Sequence, residues 1–250
     1  MAVAPQGILR PIVLWVMKMN NMLNEKRILV VGGSSGIGLA VARHALQNGA
    51  HVLIASRKAS ERVGALPDLP GESIETHAFD ITSPEDPPRL FEAIGVIDHL
   101  VISVRPETTP SPFETMDIDE AKRAFETKFW GQYRLIQVAQ HHIRETGSIT
   151  LTSGIAGEKI YKGASTMAII NSATETLCRV LAVELAPLRV NVVSPGFVEP
   201  KPKRVQERAN QFPLRRLASM DEVASAYLWL MASPYMTGTV NVIDGGARLI

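Results

Sequence analysis

Two short stretches hold residue types that could do chemistry. In "VVGGSSGIGLA", Gly32, Gly36 and Gly38 stand between an apolar run and a helical pattern, with Ser34, Ser35 and Ile37 interleaved. Glycines are needed where a chain turns tightly and its N–H groups must approach a pyrophosphate, and a following helix N-terminus adds a partial positive end. The second stretch is Ser56-Arg57-Lys58, closing the next apolar run, with no acid before Glu61. An acid there grips the ribose hydroxyls of NAD, whereas a basic residue accommodates a 2′-phosphate. The two stretches predict a dinucleotide cofactor, NADP(H) favoured over NAD(H), with Arg57 able to make a charge-assisted phosphate contact. The competing reading makes Arg57 and Lys58 a solvated loop pair.

Other chemistries find little support. His44, His51, His77, His99, His141 and His142 show no metal-ligand spacing with acids or cysteine, so no metal site is expected. Cys178 is the sole cysteine; it excludes an internal disulfide framework and fits a reducing, cytoplasmic setting. Its apolar helical neighbours mark it as a small buried hydrophobe. A formal charge of +1 offers no field for a polyanion, and basic and aromatic residues do not interleave as nucleic-acid binding requires.

The elements that must position these residues alternate. "RILVVG" reads as a strand buried on both faces, and "HVLIAS", "SIETHAFD", "DHLVISV", "GSITLTS", "RVNVVSPG" and "GTVNVIDGG" as the strands that follow. Between them, helical spacing runs through "GIGLAVARHALQNGA", about Asp119 to Ile143, about Gly163 to Leu185, and "SMDEVASAYLWLMAS", the last capped by Ser219 with Asp221 and Glu222 in its first turn. Such alternation predicts an α/β fold, a single Rossmann-type doubly wound parallel sheet between two helical layers. Composition agrees with one globular domain: 250 residues, 46% apolar and 20% charged. Residues 1–24 are set aside as a loose N-terminal arm or a start-site artefact, with Met17, Met19 and Met22 as other possible starts; the domain is expected over 25–250. The apolar run from Ile12 to Met17 is too short to span a membrane and lacks a signal-peptide cleavage site, so no membrane partner is expected.

With these residues in place, the chain resembles the short-chain dehydrogenase/reductase family from about Arg27 to the C-terminus. The resemblance rests on "GGSSGIG", Asp80-Ile81, "GSITLTSGIAG", "LAVELAPLRVNVVSPG" and "VIDGG". It implies a nicotinamide cofactor, with Asp80 and Ile81 at the adenine, Pro195 and Gly196 beside the nicotinamide, and Ser103, Asn171 and Val198 completing the contacts. It also implies homo-oligomers, tetramers or dimers, built partly on the two long helices.

The resemblance further implies a tyrosine proton donor, a lysine one helical turn later that lowers its pKa, a serine that polarises the substrate oxygen, and an asparagine in the preceding long helix. In this chain the four slots hold Met167, Asn171, Gly154 and Lys128, a register fixed by Glu184 in "LAVELA". The family's "NNAG" reads Ile102-Ser103-Val104-Arg105. The usual proton-handling machinery is therefore not expected to operate. The candidates to replace it are Lys128, Ser153 (one step before the serine slot) and Tyr161. Tyr161 has Ser165 rather than a lysine four residues on, so its phenol would keep its ordinary weak acidity.

Three functions fit. In the first, a redox enzyme acts on a small carbonyl, alcohol or imine, and the Lys128 ammonium reaches into the volume freed by Asn171. The competing reading has Lys128 solvated or paired to Glu126 or Glu175, and Arg105 capping a surface turn. In the second, a non-redox isomerase, cyclase or lyase retains the cofactor beside an apolar pocket of Met167, Ile169 or Ile170, Phe197 and Trp130. The third is a non-catalytic regulatory protein that binds NADP(H). After Gly196, Glu199 and Pro200 are followed by six basic residues up to Arg216. As a lid they favour an anionic small-molecule substrate; the alternative is a solvated, mobile loop.

Overall fold

The computed structural model describes residues 22–65 and 74–250. The arm expected over residues 1–24 lies largely outside these, but Leu23 is buried and the Glu25 N–H donates to the Gly49 carbonyl, so the domain includes that short lead-in. Strand β1 (Arg27–Val31) runs into helix α1 (Gly36–Gln47), then β2 (His51–Ser56), a short α2 (Ala59–Gly64) and β3 (Ile74–Ala78). Helix α3 (Asp86–Ile94) leads to β4 (Ile97–Ile102). Next come α4 (Ile118–Phe125), a π-helical turn over Glu126–Trp130, and α5 (Gly131–Ala139). The chain continues through β5 (Ile143–Thr152), α6 (Ser165–Glu184), β6 (Arg189–Pro195), α7 (Lys203–Ala209), α8 (Met220–Ala232) and β7 (Val240–Ile243).

All seven strands pair in parallel in the order β3-β2-β1-β4-β5-β6-β7. Side chains alternate across each strand, so β1 sends Leu29 and Val31 into one core and Ile28 and Val30 into the other. The first core is closed by α3 and α5, the second by α1 and α8. Cys178 lies in the first core, where burial raises its thiol to about 12; it is the inert hydrophobe its neighbours implied.

The direction of the strand order reverses between β1 and β4. In open parallel sheets the crevice at that switch is where ligands settle. Two anchors fix the strand ends around it. The Tyr227 hydroxyl of α8 meets Thr152 Oγ1 at 2.7 Å, and Thr152 Oγ1 donates onward to the Ile102 carbonyl at 2.7 Å. Buried Arg189 donates to the Leu230 and Met231 carbonyls at 2.8 Å each, satisfying acceptors that the C-terminal turn of α8 would otherwise leave open.

The expected single helix from Asp119 to Ile143 is instead α4, the π turn and α5, and it stops at Ala139. Ile143 already belongs to β5, paired with Ile97. No glycine or proline stands between Ala139 and Ile143, so the apolar spacing runs on unbroken from helix to strand. The helix α3 went unread, although Pro87 and Pro88 sit in its first turn, where no backbone N–H is needed, and Leu90, Phe91 and Ile94 make its buried stripe. The segment expected as a solvated loop after Gly196 contains α7, and Ala209 and Phe212 pin it into a third core with Ile155, Leu217 and Ala247.

Candidate active site

The glycine loop opens directly off β1 into the crevice. Gly32 has φ +83°, and a Cβ there would stand 2.5 Å from the Ser103 carbonyl; at Gly38 it would stand 2.4 Å from the Gly32 carbonyl. Only glycine lets the loop fold against the β4 end and against α1 this closely. Ser103 holds the far side, its N–H donating to the Val31 carbonyl at 2.8 Å. Ser35 is the N-cap of α1 but makes no side-chain cap bond, and Ser35 and Gly36 are exposed with Ile37 half-buried beside them. The first turn of α1 thus faces the crevice with its N–H donors uncapped by any side chain. These features fit a dinucleotide pyrophosphate, which would lie on Gly32 to Gly38.

Ser56 at the end of β2 donates to Ser34 Oγ at 2.8 Å, tying the glycine loop to the strand that carries Arg57. Arg57 and Lys58 are exposed; Lys58 lies 3.9 Å from Glu61, a surface pair of little strength. Burial raises the pKa of Asp80, but bonds from the Thr82 N–H and hydroxyl, helped by the Arg57 charge, outweigh it and hold the carboxyl below its ordinary value. Asp80 is thereby a fixed acceptor next to buried Ile81. At the other end, Pro195 closes β6 and the Gly196 N–H donates to Ile243. Val198 turns its side chain into the second core.

Beyond β5 the structure assembles a polar cluster. Lys128 sits in the π turn, a geometry common at functional positions because it interrupts the regular backbone ladder. Its side chain is buried, and Nζ donates to Asn171 Oδ1 at 2.8 Å and to the Ser153 carbonyl at 3.0 Å. Among the described residues no carboxylate lies within ion-pair distance of it. Glu126, one expected partner, instead bonds Arg134. Glu175, the other, accepts from Ser153 Oγ at 2.8 Å. Burial pushes the Lys128 ammonium down to about 8; the Arg105 charge adds to this and Glu175 opposes it.

Gly154, in the serine slot, makes room for this arrangement: a Cβ there would come 3.0 Å from Asn171 Nδ2. Ser153 contributes its carbonyl to Lys128 while its hydroxyl is occupied by Glu175. Met167 is half-buried and has no proton to exchange.

Tyr161 stands elsewhere. Its ring packs edge-on to Phe197 with centroids 5.7 Å apart, and the Arg208 guanidinium of α7 lies 5.3 Å from its centroid. Its hydroxyl is buried without a hydrogen-bond partner, and burial raises its pKa, with Arg208 opposing and Asp244 adding. No hydrogen bond joins it to Lys128, Ser153 or Asn171. The expected apolar pocket also falls apart as a set: Ile169 and Trp130 are exposed, Ile170 is fully buried, and Phe197 belongs with Tyr161 in the third core.

Sequence reasoning missed Glu175 as a bond partner of Ser153. The helical offset from Asn171, one turn on, was the available signal.

Comparison with known proteins agrees with the geometry. A family model described as Enoyl-(Acyl carrier protein) reductase matches residues 31–248. A short-chain dehydrogenase/reductase from Stachybotrys chlorohalonatus is 33% identical, covering 91% of this chain and 98% of the relative. Among solved structures, a small-chain dehydrogenase in complex with NADPH is 30% identical with a TM-score of 0.76, covering 91% of this chain and all of the other. The MalC Reductase/Diels-Alderase from Malbranchea aurantiaca is 27% identical with a TM-score of 0.85, covering 93% of this chain and all of the other.

Proposed function

The chain belongs to the short-chain dehydrogenase/reductase family, and from that premise we propose that it is an NADP(H)-dependent oxidoreductase of a small carbonyl or imine whose proton is handled by Lys128. The observation that carries this reading is the buried Lys128 ammonium held 2.8 Å from Asn171 Oδ1. The family's cation is kept, but it arrives from the neighbouring helix. Support for NADP(H) comes from Arg57, exposed at the end of β2 with no acid beside it, and from the NADPH-bound relative.

A bound NADPH would supply the hydride to the substrate carbon. Of the three N–H groups of Lys128, two are oriented by Asn171 and the Ser153 carbonyl, which leaves the third for a substrate oxygen or nitrogen. There the positive charge of this buried side chain stabilises the negative charge that develops on reduction. With its pKa lowered to about 8, the ammonium is acidic enough to release its proton to that atom, and the resulting amine regains one from solvent. Carbon gains a hydride, oxygen a proton, and Lys128 returns to its starting state.

The test is NADPH oxidation across a panel of ketones, aldehydes and cyclic imines by the wild type and Lys128→Met. The variant should lose about 10²- to 10⁴-fold in kcat with NADPH affinity retained. Undiminished turnover would remove Lys128 from the chemistry.

A second reading, non-redox ring formation with the cofactor retained, is supported by the likeness to the MalC Reductase/Diels-Alderase. It is separated by product formation without consumption of NADPH. We also propose assembly into a homodimer or tetramer, supported by Trp130, Tyr133, Val180 and Val183, which stand exposed on the π turn, α5 and α6.

A further inference from the structure

Resting on the reductase reading, we propose that the substrate carries a carboxylate next to its reducible group, and that Arg105 and Lys201 hold this carboxylate while Lys128 takes the reducible oxygen or nitrogen.

The sheet order brings the segments bearing Arg105 and Lys201, and the Ser153 contact of Lys128, to one edge of the sheet. Strands β4, β5 and β6 are neighbours, and their C-terminal ends open on one side. Arg105 follows the end of β4, Ser153 with its Lys128 contact follows β5, and Lys201 follows β6. Residues past adjacent parallel strands converge at the edge where ligands bind.

Three other charges of the basic lid are engaged elsewhere, while Arg204 and Arg215 are exposed. Arg208 lies over the Tyr161 ring, Arg216 bonds Glu222 at 2.7 and 2.5 Å, and Lys203 is 3.9 Å from Glu207. Of the six basic residues up to Arg216, only Lys201 is partly buried; the others are exposed. Neither Arg105, Lys128 nor Lys201 has an ion-pair partner among the described residues. Glu175, the acid whose field reaches Lys128, is bonded to Ser153 Oγ.

The field of Arg105 depresses the pKa of both lysines, in each case after the effect of burial. Like charges that feel one another and form no ion pair among the described residues favour an anion, although the Glu175 field partly offsets the charge of Lys128. A carboxylate suits them, because a guanidinium fork donates to its two oxygens side by side. Beside Arg105 lies a cavity of about 590 Å³ that Pro106, Thr108 and Thr109 also border; Lys128 and Lys201 are not part of its lining. Arg123, Glu107 and Glu120 complete its wall, and Glu120 accepts from the Thr109 N–H.

Calorimetric titration of the NADP⁺-saturated protein with oxamate, and with its neutral counterpart oxamide, tests the proposal. Oxamate should bind and oxamide should bind at least tenfold more weakly. Arg105→Gln and Lys201→Gln should each weaken oxamate at least tenfold while leaving NADP⁺ affinity within twofold. The proposal is overturned if oxamate fails to bind, if oxamide binds as well, or if the variants lose NADP⁺ rather than oxamate; in that last case the cations serve the cofactor's own phosphates. Intact, charge-dependent oxamate binding without NADPH oxidation by any carbonyl or imine would sink the reductase reading alone.

Discussion

Lys128 Nζ and Asn171 Oδ1 meet at 2.8 Å, joining the π turn after α4 to the first half of α6. The resemblance led to an asparagine on the first of these elements and a lysine on the second. The chain has the two residue types exchanged, and Gly154 leaves the space that the Asn171 amide occupies. In the register that the resemblance implies, an ammonium stays at the end of β5 while the slot for the phenol holds Met167.

That reciprocity is open to a direct test of stability. Lys128→Asn leaves two amides where a charge-assisted bond was, and Asn171→Lys sets two ammonium groups side by side. Each single variant should lose about 1–3 kcal/mol, the cost of leaving a buried polar group badly paired. The double variant restores a lysine opposite an asparagine and should recover at least half of the combined loss. Urea denaturation of the four proteins measures this. Strictly additive losses would mean that the two side chains do not depend on each other.

If Lys128 donates the proton as proposed, its lowered pKa sets the pH dependence of turnover. Reduction needs the protonated ammonium, so kcat should be flat below about 8 and fall toward tenfold per pH unit above it; alcohol oxidation needs the neutral amine and should rise through the same value. The sign for stability is separate. Folding depresses this lysine, so between about 8 and its ordinary value the unfolded chain binds more protons than the folded one. The destabilisation from burying the charge is therefore full below that window and is relieved as pH rises through it. A kcat profile that ignores pH from 7 to 9.5 would exclude Lys128 as the proton donor.

Most strands were legible because they are short apolar runs bounded by glycine or polar residues (β3, with Glu75, Thr76 and His77, is the exception), and Gly32 to Gly38 could be placed because a strand precedes them and a helix follows. The pairing of Lys128 with Asn171 was legible in part: the volume around Asn171 was read, but the bond to the Ser153 carbonyl depends on how β5 ends. The place of Tyr161 was not legible. Its ring is drawn to Phe197 and Arg208, which lie far away in sequence, and only the docking of α7 brings them together. The end of α5 was lost for a different reason, because its apolar spacing passes into β5 without a stop signal.

In the proposed reading, Arg57 decides between the two dinucleotides. Its contact with a 2′-phosphate would be a charge-assisted bond of about 1.5–3 kcal/mol. Arg57→Ala should then weaken NADPH by roughly 10- to 100-fold and leave NADH nearly unchanged, as measured by calorimetric titration. Equal losses for both cofactors would assign Arg57 to the adenosine or to the loop, and would withdraw the preference for NADP(H).

Tyr161 offers the sharpest contrast with Lys128. A buried hydroxyl without a partner destabilises the fold, and removing it relieves that cost without opening a large cavity. Tyr161→Phe should therefore match or exceed the wild type in thermal stability. It should also keep kcat within about threefold, because burial makes the phenol a weaker acid and the Arg208 charge over its ring does not offset this. If Tyr161→Phe instead abolishes turnover while Lys128→Met does not, the proton comes from the phenol. The lid carrying Arg208 must then move enough to bring that ring over the substrate, and Lys128 is left with the structural task of joining two helices.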